Sequence, residues 1–126
     1  MCQMLLSINP EHVESILCGK KQFEFRKVRC KEEVGKIYIY STSPVMRVVA
    51  EADVDEIIED DILTVWNLTK EYAGISYNFY RRYFKGKKKA VAYKLTRIVP
   101  YANPRKLSDF GISCAPQSFV YLSKQS

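Results

Sequence analysis

Apolar and polar positions alternate along parts of the chain and fall on one helical face in others, with Gly or Pro at most of the changes. Residues 3–8 read as a first strand. Asn9 then caps a helix that has Pro10 at its first position, where the missing N–H costs nothing. Val13, Ile16 and Leu17 form its apolar stripe, and Gly19 closes it in the left-handed conformation. Phe23 and Phe25 alternate with Gln22, Glu24 and Arg26, the period of a half-buried strand. Residues 36–41 predict a third strand. Residues 47–57 predict a fourth, long enough to require a bend or bulge. Asp60 or Asp61 caps a second helix with Ile62, Val65, Trp66, Thr69, Tyr72 and Ala73 on one face, ended by Gly74. Ser76 caps a third, in which Phe79, Tyr80, Tyr83 and Phe84 share a face before Gly86. A long β segment at 90–101, a turn at 108–111 and a short strand at 120–122 complete the pattern. About five or six strands and three helices, with strands following strands, predict an α+β fold. Its economical form is a small mixed β-barrel flanked by the helices.

Composition narrows the class. A chain of 126 residues fits one domain, 1–126. An apolar fraction of 47% and a charged fraction of 27% are those of a globular protein, which argues against disorder. Every apolar run is too short to span a membrane, and the first residues lack a basic leader with a cleavage site. The expectation is a cytoplasmic chain. Cys2, Cys18, Cys30 and Cys114 include no C-x-x-C pair, and His12 is the only histidine, so neither a metal nor a cofactor is expected. The cysteines are read as free thiols in a reducing compartment. His12, beside Glu11, reads as a solvated side chain. Neither a P-loop nor a G-x-G-x-x-G cradle occurs.

Charge changes the picture more. The formal net charge is +6, and it is unevenly placed. Residues 51–71 are strongly acidic, whereas residues 72–108 contain no acid and carry Arg81, Arg82, Lys85, Lys87, Lys88 and Lys89 among other bases. Such asymmetry is the footprint of a polyanion binder. Aromatic side chains interleave with Arg81, Arg82 and Lys85, as in single-strand-binding surfaces, although the helical spacing of Phe79, Tyr80, Tyr83 and Phe84 is more often that of a core face. Lys87 and Lys88 follow Gly86 on a surface turn, where they can meet phosphates.

The densest chemistry lies in residues 19–26. Glu24 and Arg26 are two apart on a strand and project from one face, with Lys21 at the strand entrance. A fork-shaped donor, an acceptor and a mobile amine can together grip a polar planar ligand. The same residues also describe an exposed ion pair beside a turn.

The pattern G-x-K-x-x-E-x-R, filled by Gly19, Lys21, Glu24 and Arg26, resembles the signature of the ASCH domain family, a branch of the PUA-like β-barrels. The segments at 40–44 and 115–119 are similar to those of a subgroup of predicted PUA-like regulators. The resemblance covers nearly the whole chain. It implies a cleft beside the signature strand and a partner that is RNA, single-stranded nucleic acid or a modified nucleobase or nucleoside. Lys21, Glu24, Arg26, Thr42, Ser43 and Gln117 would face that ligand, while Arg81, Lys85, Lys87 and Lys88 would track phosphates. Some similar members are amidohydrolases that deacylate acetylcytidine with the signature lysine, but with a threonine where this chain has Glu24. They imply an alternative in which Lys21 and Glu24 act as a catalytic acid–base pair. A second alternative is a protein-interaction adaptor using the acidic residues 53–61.

Overall fold

The changes of period become element boundaries in the computed structural model, which describes residues 2–122. The strands are β1 (Cys2–Ile8), β2 (Phe23–Arg26), β3 (Val34–Ser41), β4 (Arg47–Asp61), β5 (Lys89–Arg105) and β6 (Phe119–Leu122). The helices are α1 (Pro10–Leu17), α2 (Ile62–Thr69) and α3 (Tyr77–Tyr83). One mixed sheet runs in the order β2-β5-β4-β3-β1-β6, with β1 and β3 parallel and the other neighbours antiparallel. The α+β expectation holds.

Capping residues act where their chemistry places them. Asp61 accepts from the Thr64 amide at 2.9 Å and Ser76 accepts from the Phe79 amide at 3.1 Å, starting α2 and α3. Asn9 precedes α1 without a side-chain cap; its Oδ1 instead accepts from the Thr42 hydroxyl at 3.3 Å. The α1 stripe is narrower than its sequence indicated, for Val13 and Ile16 are buried whereas Leu17 is 40% exposed.

β4 and β5 outrun the periodicity that predicted them. They pair with each other from Val48–Arg105 to Asp61–Lys89, and three register shifts absorb the bend. Pairing with a partner strand, rather than alternation, carries the ladder through the exposed acidic end of β4.

Alternate residues of β5 feed two cores. Val91, Tyr93 and Leu95 pack with Met4, Leu6, Ile37, Ile39 and the buried face of α1. Ala90 and Ala92 pack with Phe23, Phe25, Val65, Tyr80 and Phe84 beneath α2 and α3. Glu24 and Arg26 stand opposite Tyr93 and Val91 in the ladder, so they share the face of the first core. Both faces of β2 are therefore covered, and the half-buried reading of this strand is corrected.

Among the described residues the sheet does not close by a ladder between its edge strands. Arg26 of β2 instead donates to the Ser7 carbonyl at the end of β1 (3.0 Å) and to the Ser118 hydroxyl just before β6 (3.1 Å). One side chain thus links the β2 edge of the sheet to the end of β1 and the start of β6. Among the described residues, no helix is long and apolar enough to cross a membrane.

Candidate functional site

The position of Lys21 is fixed from three sides. Gly19, at φ +86, turns the chain out of α1, and the Lys21 amide donates to the Ser15 carbonyl at 3.0 Å. The Gln22 amide donates to the Tyr72 carbonyl at 2.8 Å, tying this strand entrance to the turn after α2. Gly74 sits at φ +70, and a Cβ there would lie 2.3 Å from Lys21 Cβ. Only glycine lets this turn press against the lysine and present the Ala73 carbonyl to Nζ at 3.1 Å.

Glu24 lies between two cations. Its Oε2 is 2.8 Å from Arg26 Nη2, and its Oε1 is 3.8 Å from Lys21 Nζ. The side chains of Lys21, Glu24 and Arg26 are only 2%, 9% and 13% exposed, which rules out the exposed ion pair that the sequence also allowed. Burial pushes the Lys21 amine below its ordinary range; Glu24 pulls it back up and Arg26 pushes it further down. Burial likewise raises the Tyr83 hydroxyl. Arg26 Nε is buried without a hydrogen-bond partner among the described residues.

These three side chains line a cavity of about 200 Å³. Ile8, Phe25, Ile75, Phe79 and Tyr83 supply its apolar wall, while Ser7, Asn9 and His12 complete the lining. His12 is not the solvated residue its sequence position suggested. Its side chain is 18% exposed and meets Phe79 edge-on, with ring centroids 5.4 Å apart. The α3 aromatics divide their labour: Tyr80 and Phe84 are buried in the core, whereas Phe79 and Tyr83, one turn apart, face the cavity.

The remaining predicted residues lie elsewhere. Thr42 is half-buried and reaches the cavity only through its bond to Asn9. Ser43 and Gln117 are exposed outside the cavity lining, although the neighbours of Gln117 bond to two lining residues: Pro116 O accepts from Ser7 Oγ at 2.7 Å, and Ser118 Oγ accepts from Arg26 at 3.1 Å. Arg81 and Lys85 join Asn78 and Arg82 along an open groove of about 630 Å³. Their spacing puts them on a different face of the α3 segment from Phe79 and Tyr83. Lys87 and Lys88 are exposed beside Gly86. Sequence reading missed Ser7, Ile8, Asn9, His12 and Ile75. Ser7, a polar residue inside the apolar strand β1, was the one available signal. Among the described residues, no group of three or more His, Cys, Asp or Glu side chains is placed to hold a metal.

A model of the ASCH domain matches residues 6–99. The chain is 32% identical over 127 residues to the ASCH domain-containing ribonuclease of Zymomonas mobilis, covering 98% of this chain and 86% of that protein. It is also 32% identical over 120 residues to the ATP synthase subunit alpha of Ureaplasma parvum; the match takes in 94% of this chain but only 15% of that much longer protein. The crystal structure of ASCH from Zymomonas mobilis superimposes with a TM-score of 0.87 at 32% identity, over 97% of this chain and 88% of that one.

Proposed function

This chain belongs to the ASCH domain family, and from that premise we propose that it is an RNA-binding module that seats one base of a single strand in the Lys21–Glu24–Arg26 cavity. The observation that carries the reading is a buried charged trio facing an aromatic wall. An unstacked base needs a flat apolar surface for its ring and fixed donors and acceptors for its edge. Phe79 and Tyr83 offer the first, and Lys21, Glu24 and Arg26 the second. The groove along Arg81, Arg82 and Lys85, with Lys87 and Lys88 beyond it, would meet the flanking phosphates. The name of the Zymomonas relative favours RNA as the strand. By occupying such a strand the module would act as a regulator.

Fluorescence titration with single-stranded RNA at two salt concentrations tests this. Affinity should fall with salt by a log–log slope of about 0.7 per phosphate contacted. Replacing Lys87 and Lys88 together by Ala should flatten that slope. Absence of binding at low salt would overturn the reading.

One observation favours an enzymatic version of the same site. A buried amine whose proton affinity is lowered stands beside a carboxylate in one cavity, the arrangement of an acid–base pair. Incubation with end-labelled RNA and, separately, with acetylcytidine, each against Lys21→Met, decides it. Full turnover by the variant would remove Lys21 from any such role.

A further inference from the structure

The hydrogen-bonding capacity left open in the cavity specifies a ligand edge. Glu24 Oε2 is taken by Arg26 at 2.8 Å, but Oε1 receives no hydrogen bond from the described residues, because Lys21 Nζ at 3.8 Å is out of reach. The Lys21 amine spends one N–H on Ala73, leaving others for a ligand. Arg26 spends three of its five N–H groups, on Ser7, Ser118 and Glu24. Among the described residues its Nε–H is buried without a partner. The wall thus presents an acceptor with a donor on either side. Resting on the RNA reading, the geometry points to a diketo pyrimidine, uracil, as the base this cavity takes, held through its N3–H on Glu24 and its two flanking carbonyls on Lys21 and Arg26.

The other bases fit less well. Cytosine presents an acceptor at N3, which would face the carboxylate; sliding to place its amino group on Glu24 leaves one donor of the wall unmet. A site that buries polar groups rejects a ligand that leaves them unpaired. Size points the same way. Pockets for drug-sized ligands span roughly 300–1,000 Å³, and a cavity of about 200 Å³ suits one six-membered ring better than a fused purine.

The test is an NMR titration of the full chain with uridine, 3-methyluridine, cytidine and adenosine. Uridine should bind about tenfold or more tightly than cytidine, the discrimination expected of one lost hydrogen-bonded pair. 3-Methyluridine, which lacks the N3–H and places a methyl group against Glu24, should bind at least as poorly as cytidine. Cytidine binding as tightly as uridine, or undiminished binding of 3-methyluridine, overturns the inference. Lys21→Met, with its fold checked by circular dichroism, should narrow the preference for uridine; an unchanged preference counts against it. Oligouridine and oligoadenosine separate the two levels of the claim. If neither binds at low salt, the RNA reading fails and the base assignment with it. If both bind equally, the RNA reading stands and the base assignment alone fails.

Discussion

Lys21 and Arg26 differ from Arg81, Lys85, Lys87 and Lys88 in how much water they keep. The first pair is buried against Glu24, Ala73, Ser7 and Ser118, so each charge depends on fixed partners. The second group is exposed, and solvent satisfies it whether or not a ligand is present. Buried charges hold one geometry and can discriminate between ligand edges. Exposed charges supply attraction that salt screens and that any polyanion shares. The fold keeps both on offer, with α3 contributing aromatic rings to the cavity and bases to the groove.

The comparison breaks most sharply at Glu24. Glu24→Ala leaves two buried cations without their shared anion and should destabilise the protein by about 3–5 kcal/mol, read by urea unfolding. Gly74→Ala comes next. It places a methyl group on Lys21 Cβ from a left-handed backbone, and a loss of about 1–3 kcal/mol is expected in the same measurement.

A smaller effect concerns pH. The folded state holds the Lys21 amine below 10.5, so between its folded value and 10.5 the unfolded chain binds more protons. Stability on account of this residue therefore rises with pH through that window. The stability of the wild type relative to Lys21→Met should climb as pH increases from neutral towards 10.5, and a flat difference would remove the desolvation account. The smallest effect is at the other pole. Lys87→Ala with Lys88→Ala should change folding stability by no more than about 0.5 kcal/mol while weakening RNA binding at low salt.

Much of the fold was legible because its signals are local. Asp61 and Ser76 cap helices through their own side chains, and Gly19, Gly74 and Gly86 sit in the left-handed region at element ends where punctuation placed them. The full lengths of β4 and β5 were not legible, since the ladder between them, not alternation, extends each past its apolar positions. At the site, Lys21, Glu24 and Arg26 were marked by spacing and by the family signature. Their burial was not, because beyond the neighbouring α1 it comes from the Ala73–Gly74 turn and the aromatic face of α3, both distant in sequence. The inclusion of His12 and Ser7 was hidden for the same reason.

The order of elements, the uneven charge and the trio on one short strand follow from local signals, because caps, glycines and period-two alternation act over a few residues. The enclosure of this trio comes from long-range packing. Enclosure requires Gly74 to lie against Lys21, Arg26 to bridge the two sheet edges and Phe79 and Tyr83 to turn from the core to the cavity. Each of these is a contact between segments far apart in the chain, and the spacing of residues along one strand carries no record of it.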